Sequence, residues 1–329
     1  MTEIIQSDYL KKFSRFEDIN LSIFLKKFSF VILLLFFTSS CKKEMIENGF
    51  DLNIKQFPNR SFDFSLWQLD AFEQRVQMGY IIRSDDGQLT MIDGGGVTSS
   101  NMVESYIIQL GGKVDTWVIT HPHNDHMGVL LELIKRETIE IGRIICPLLE
   151  EKWVSLHEQK SLAEWKRFKL ELAKSNIKII EPNLLDVYSI GENVDLRILG
   201  VKNEEIVLNA INNSSLVFKV TSSSKSVLFT GDLGWQGGDK LLGYIKPVDL
   251  NSDYVQMAHH GQNGVGYNFY AAVNACYALW PTPDWLWENS IDGRPNYGPF
   301  QTIEVRAWMD SLKIKINYVS GLQKTIQID

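Results

Sequence analysis

Residues 62–329 predict a single layered α/β domain, and three observations point there. Strand-like and helix-like segments alternate through this stretch, as a mixed sheet with interspersed helices requires. The run Asp115–Ile119 is apolar enough to be a buried strand and leads directly into a loop crowded with polar ligand residues. The composition, 44% apolar and 22% charged over 329 residues, is that of a chain with a large core rather than a disordered one. No internal repeat or low-complexity tract interrupts it.

Taken in order, Ser65–Leu69, Met78–Ile82 and Leu89–Ile92 are expected as short strands, the last two joined by a turn at Ser84–Gly87. Gly94–Gly96 ends the third strand, and Asn101–Leu110 has helical spacing. Trp117–Ile119 is a strand and Met127–Ile134 a helix. Ile141–Cys146 is another strand. Leu156–Ala173 is expected as the longest helix, with Leu162, Trp165, Phe168 and Leu172 recurring on one face. Strands are then expected at Ile177–Ile180, Asp186–Ser189 and Val194–Leu199, followed by a hairpin of Leu216–Val220 and Ser226–Thr230 across Ser222–Lys225. Lys240–Ile245 reads as helix, Tyr254–Met257 and Tyr277–Trp280 as strands. Thr302–Leu312 is the last helix, followed by strands at Ile314–Val319 and Lys324–Ile328.

The first fifty residues are different in kind. Lys26 and Lys27 precede the apolar run Phe28–Phe37, then Thr38-Ser39-Ser40-Cys41. A run of about ten apolar residues is too short to span a bilayer, and a positive flank followed by small residues describes an export signal. The ending on Cys41 resembles the lipobox of bacterial lipoproteins, which implies a lipid anchor on that cysteine and a periplasmic or cell-surface location. Residues 1–41 are therefore expected as the signal and 42–61 as a polar tether. Cys146 and Cys276 are expected as free thiols.

The chemistry concentrates at strand ends. Thr120-His121-Pro122-His123-Asn124-Asp125-His126 holds three of the six histidines in the chain, together with a carboxylate. Imidazole nitrogen and carboxylate oxygen are what zinc and similar divalent ions accept, so the loop reads as a metal site. Val227–Thr230 runs into Gly231-Asp232, Tyr254–Ala258 into His259-His260-Gly261, and Met91-Ile92 into Asp93. Four strands that deliver acids or imidazoles at their ends can converge on one sheet edge. His157 stands outside every cluster and reads as solvated. Gly94–Gly96 lacks the spacing and the lysine of a phosphate loop.

In this order the motifs resemble those of the metallo-β-lactamase-fold hydrolases. The resemblance rests on Ile92-Asp93-Gly94-Gly95, the HxHxDH run at His121–His126, Asn212-Asn213-Ser214-Ser215-Leu216, Thr230-Gly231-Asp232 and His259-His260-Gly261, and covers roughly residues 62–329. It looks most like the subgroup of competence-type DNA-uptake hydrolase domains and phosphorylcholine esterases. The implied fold is an αββα sandwich, and the implied cofactor two Zn2+ ions, with Mn2+ as the other candidate. His121 and His123 would bind the first ion, Asp125 and His126 the second, and Asp232 would bridge them. One of His259 and His260 would complete the second site. The family's ligand immediately precedes a glycine, which favours His260 and leaves His259, with Asp125, to move protons. Asp93 would hold the histidine loop in shape. Many members carry a further histidine where this chain has Asn212 and Asn213, a departure that speaks against a β-lactamase and implies a first ion held less tightly, or completed by water or Asn, with Asn213 expected beside the site.

The resemblance implies hydrolysis of a phosphodiester or another small ester by metal-bound hydroxide. A net charge of −7 speaks against stable nucleic-acid binding, and no protein partner is implied. The alternative on the same fold is a non-catalytic glycan- or surface-binding lipoprotein. Trp280–Trp287 is strongly aromatic, and its loop is expected either to border the mouth of the site or to pack as a flap.

Overall fold

The computed structural model describes residues 50–52 and 63–328. The expected export signal, with Cys41, lies outside the described residues, as does the expected tether apart from Phe50, Asp51 and Leu52. Leu52 is buried, and its backbone N–H donates to Gln109 Oε1 at 3.0 Å, so these three residues, expected as part of a tether, pack on the domain.

Fourteen strands among the described residues form two seven-stranded sheets. They are β1 (Phe64–Gln68), β2 (Gly79–Ser84), β3 (Leu89–Asp93), β4 (Lys113–Val118), β5 (Glu140–Ile145), β6 (Lys178–Ile180) and β7 (Val187–Gly191). The rest are β8 (Val194–Gly200), β9 (Val217–Thr221), β10 (Ser226–Phe229), β11 (Tyr254–Gln256), β12 (Tyr277–Trp280), β13 (Ile316–Val319) and β14 (Ile326–Ile328). The first sheet has the order β14-β1-β2-β3-β4-β5-β6 and the second β13-β12-β11-β10-β9-β8-β7. The C-terminal strand thus crosses back to pair antiparallel with β1, Leu66 opposite Ile328.

Both sheets change direction partway. β3 is antiparallel to β2 but parallel to β4; β10 is antiparallel to β9 but parallel to β11. The motif-bearing strand ends are those of β3, β4, β10 and β11.

Period-two alternation explains the layers. Leu66, Tyr80, Ile92, Val118, Phe218, Val227 and Leu279 point between the sheets. Trp67, Ile81, Met91, Trp117 and Ile144 point outward, under helices α1 (Ser100–Gln109), α2 (Asn124–Arg136) and α3 (Leu162–Lys174). Val217, Leu228, Val255, Ala278 and Trp280 do the same on the second sheet, under α4 (Trp235–Leu242), α5 (Tyr267–Val273) and α6 (Thr302–Ser311). Helix, sheet, sheet, helix is the αββα sandwich.

The long helix expected over 156–173 is broken. A helix at Glu151–His157 ends, Glu158 leaves helical geometry (φ −141°, ψ 50°), and α3 starts only at Leu162, making it no longer than α2. The break has a use: Glu158 Oε1 accepts the backbone N–H of Ala210 at 2.7 Å, fastening the loop before the short helix Ala210–Asn213. Cys146 is buried and Cys276 half-buried, and both are free. Burial pushes the Cys146 thiol up to about 12.

Candidate metal centre

The histidine loop links β4 to α2. His123 is the extended residue before the helix (φ −94°, ψ 151°), which puts Asp125 and His126 in its first turn. A carboxylate there is favoured by the helix dipole, while Lys135 and Arg136 suit the other end. The loop is held from below by Asp93, fully buried at the end of β3. Asp93 Oδ1 accepts the Thr120 N–H at 2.7 Å, and Oδ2 accepts the Thr120 hydroxyl at 2.8 Å and lies 2.7 Å from His126 Nδ1. Because a carboxylate only accepts, His126 Nδ1 carries a proton and Nε2 is left facing the cluster.

The other two strand ends are brought in by close backbone approach. Gly231 has φ +55°, and a Cβ there would lie 2.8 Å from Thr120 Cβ and 3.0 Å from Ser215 Cβ. The His259 N–H donates to Gly231 O at 3.1 Å, joining the two turns. Buried Gln256 clamps both: its Oε1 accepts the Thr230 N–H at 2.8 Å, and its Nε2 donates to Gly231 O at 3.1 Å and Met257 O at 2.6 Å.

Asp232 is the centre of what results. Its Oδ2 lies 3.3 Å from His126 Nε2, 3.5 Å from His260 Nε2, and 3.8 Å from His121 Nε2 and from His259 Nε2. Asp125 Oδ2 is 3.2 Å from His260 Nε2 and 3.7 Å from His126 Nε2. Donor atoms of Asp125, His126, Asp232 and His260 all lie within 4.8 Å of one another. His260 Nδ1 is 2.8 Å from Pro281 O, a carbonyl that only accepts, so its Nε2 also faces inward without needing a proton. His121 Nε2 and His123 Nδ1 face each other at 3.0 Å, while Ser215 and Thr120 hydroxyls sit at 3.3 and 3.1 Å from His121 Nδ1 and Ser161 Oγ at 3.4 Å from His123 Nε2.

These residues fit a metal. His126 Nε2 and Asp232 Oδ1 are buried without a hydrogen bond, although buried polar atoms are nearly always paired. Asp93 and Asp232 are buried beside the partly exposed Asp125, a negative charge that neutral imidazoles do not balance. In the metal-free chain, protons fill that role. Burial works against a charge on His126, but Asp232, Asp93 and Asp125 override it and hold its pKa well above the usual histidine value. The same balance pushes His260 up to about 9. Burial, with His126 adding to it, keeps His121 well below. Burial likewise lowers His259. Burial alone would raise Asp125 and Asp232; the imidazoles of His126 and His260 instead hold both carboxyls below the usual range. Metal binding releases such protons.

Two asparagines separate here. Asn213 turns away from the cluster: its Oδ1 accepts the Gly237 N–H at 2.9 Å and its Nδ2 donates to Leu208 O at 2.9 Å, which ties down the start of α4. Asn212 is the one at the site, its Nδ2 3.3 Å from His259 Nε2 and its Oδ1 buried without a partner. His157 stays apart, its ring against Trp153. In the aromatic stretch Trp280 is buried and Trp287 packs edge-on against it at 5.0 Å, while Trp285 lines a cavity beside Asp125. Gln256, Ser215, Thr120 and Ser161 went unassigned in the sequence. Only Ser215 and Thr120, lying inside recognised motifs, carried any signal of a role.

A sequence model of the metallo-beta-lactamase superfamily matches residues 74–292, and the chain belongs to that superfamily. Among curated proteins none matches the chain. Among solved structures it is similar to Igni18, a metallo hydrolase from the archaeon Ignicoccus hospitalis, at 12% identity and TM-score 0.47, over 81% of this chain and 99% of that one. It is also similar to yeast PDE1, at 12% identity and TM-score 0.46, over 78% and 97%. A third is MEM-A1, a subclass B3 metallo-beta-lactamase from a soil metagenome library, at 18% identity and TM-score 0.40, over 64% and 81%.

Proposed function

We propose that the chain is a metal-dependent hydrolase that cleaves a phosphodiester or another small ester, with two divalent ions, Zn2+ foremost, as its cofactor. What carries this is the convergence on Asp232, one buried carboxylate oxygen within 3.8 Å of four imidazole nitrogens. His121, His123 and Asp232 would hold one ion; Asp125, His126, Asp232 and His260 the other. When bound, such ions supply Lewis acidity toward the substrate oxygen and a hydroxide nucleophile at neutral pH.

The remaining residues orient and move protons. Asp93, the Pro281 carbonyl and Ser161 each occupy the outer nitrogen of one imidazole and so aim its inner nitrogen at the centre. His259 is more exposed than His126 and His260, and burial lowers its pKa, which favours the neutral imidazole. It is thereby suited to take up a proton and pass it to the leaving oxygen. Asn212, in place of a further imidazole, is part of the preference for an ester over a β-lactam. The Lys-flanked apolar run ending at Cys41 supports placing this activity outside the cytoplasm on a lipid anchor.

The test is hydrolysis of bis-p-nitrophenyl phosphate, p-nitrophenyl phosphorylcholine and nitrocefin by wild type and Asp125→Ala. Ester cleavage lost in the variant is expected. Cleavage that survives the substitution, or a wild type inert on all three with zinc bound, overturns the proposal.

A further inference from the structure

A cavity of about 380 Å³ opens beside Asp125, lined by Arg75, Val76, Gly96, Val97, Asn124 and Trp285 among others. That volume lies in the range of small-molecule sites, about 300–1,000 Å³. Its walls come from four separate stretches of the chain, and several of them are fastened to one another. Gln74 O accepts the Trp285 indole N–H at 2.8 Å, Gln74 Oε1 accepts the Asp284 N–H at 2.9 Å, and Gln74 Nε2 donates to Gly321 O at 3.1 Å. Buried Gln77 donates to Asp70 O at 2.9 Å and accepts the Ser99 hydroxyl at 2.5 Å. The cavity is therefore formed before anything enters it.

Its lining is mostly polar, with Gln77, Thr98, Asn124 and Asp125 among it, and one apolar side suits a flat, uncharged group. Val76, Val97 and Trp285 supply apolar wall. Phe300 meets the Trp285 ring edge-on at 5.4 Å and 62°, and no other described aromatic ring contacts it, so none stacks on its face. At the rim Arg75 pairs with Glu73 at 3.2 Å, both side chains more than half exposed, so the pair brings no net charge. Gly96 faces open space: a Cβ there would meet nothing within 4 Å, and its φ of −75° suits any residue. A glycine with no steric or conformational duty keeps the cavity's wall open.

We infer that this cavity is the subsite for a planar, uncharged substituent of the substrate, stacked on Trp285, with the scissile group held at Asp125 and the metal centre. The inference rests on the hydrolase reading above and names the substrate class for it: an ester with an aryl or similarly flat group next to the cleaved bond. Aromatic stacking of this kind is worth roughly 10-fold in affinity.

The test is calorimetric titration of zinc-loaded protein with phenylphosphonate and with methylphosphonate, metal content being measured on the same samples. Wild type is expected to bind phenylphosphonate about 10-fold more tightly than methylphosphonate. Trp285→Ala should bring the two within about 2-fold by removing the stack, and Gly96→Leu should do so by filling the space, with no backbone strain. Equal affinities in wild type, a preference that survives both substitutions, or no binding of phenylphosphonate overturns the subsite. The hydrolase reading falls separately, on the cleavage assay: esters cleaved by wild type but not by Asp125→Ala, together with equal phosphonate affinities, leave that reading standing and remove only the subsite.

Discussion

Replacing Asp93 with asparagine separates shape from charge at the base of the histidine loop. The amide is isosteric, and its oxygen can still accept the Thr120 N–H now at 2.7 Å from Oδ1. Its NH2 group then faces His126 Nδ1, which lies 2.7 Å from Oδ2. Two N–H groups cannot donate to each other, so the imidazole must move its proton to Nε2, the atom directed at Asp232. A protonated Nε2 is no longer a ligand. Loss of such an outer partner costs about 10–100-fold in metal affinity, equivalent to roughly 1.4–2.8 kcal/mol. Competition titration of zinc against a chromophoric chelator measures it directly, and thermal denaturation of the metal-free forms controls for folding. Zinc affinity in Asp93→Asn equal to wild type would refute the tautomer argument; the Thr120 hydroxyl, which now donates to Oδ2, can turn to accept from the new NH2 group.

Other expectations follow from the same network. With metals removed, His260, pushed up to about 9 from 6.5, contributes stability that is fully present below pH 6.5 and lost as pH rises through 9. The loss amounts to about 3 kcal/mol, or a Tm fall of roughly 5–10 °C between pH 6 and 9.5, which saturating zinc should flatten; a flat metal-free profile contradicts it. Asp125 acts in the opposite window: its lowered pKa makes its contribution present above about pH 4 and lost on acidification below it, so the metal-free protein should also soften toward pH 3. Gln256→Leu strands the Thr230 N–H and the Met257 carbonyl in a buried site and leaves Gly231 O with the His259 N–H alone, which should lower stability by roughly 2–4 kcal/mol in denaturant titration, a loss under 1 kcal/mol being the contrary result.

The candidate site was largely legible because the residues that converge there sit at strand ends, where local sequence shows both the apolar run and the polar residues that follow. Tyr254–Ala258 running into His259-His260 is of this kind, and so is Asp93 after Met91-Ile92. What stayed hidden depends on long-range convergence. Gln256 looks like an ordinary polar residue in a strand until β10 lies beside β11. Gln74 gains its meaning from Trp285, 211 positions away. Asn212 and Asn213 are indistinguishable as letters; the turn of the short helix Ala210–Asn213 sends one to His259 and the other to α4. The apolar face expected over 156–173, Leu162, Trp165, Phe168 and Leu172, lies wholly after the break, and Glu158 at the break is held by the tertiary bond to Ala210. Helix α5 could have been found, since Phe269, Tyr270 and Val273 recur at helical spacing after Gly266.

The bridging role proposed for Asp232 is tested most directly by metal content. Natively purified wild type, exchanged against zinc and freed of excess, should hold about two ions per chain by inductively coupled plasma mass spectrometry. Asp232→Asn, folded by circular dichroism, should lose at least one of them. A wild type that retains no zinc, or an Asp232→Asn protein that retains as much as wild type, would contradict the account.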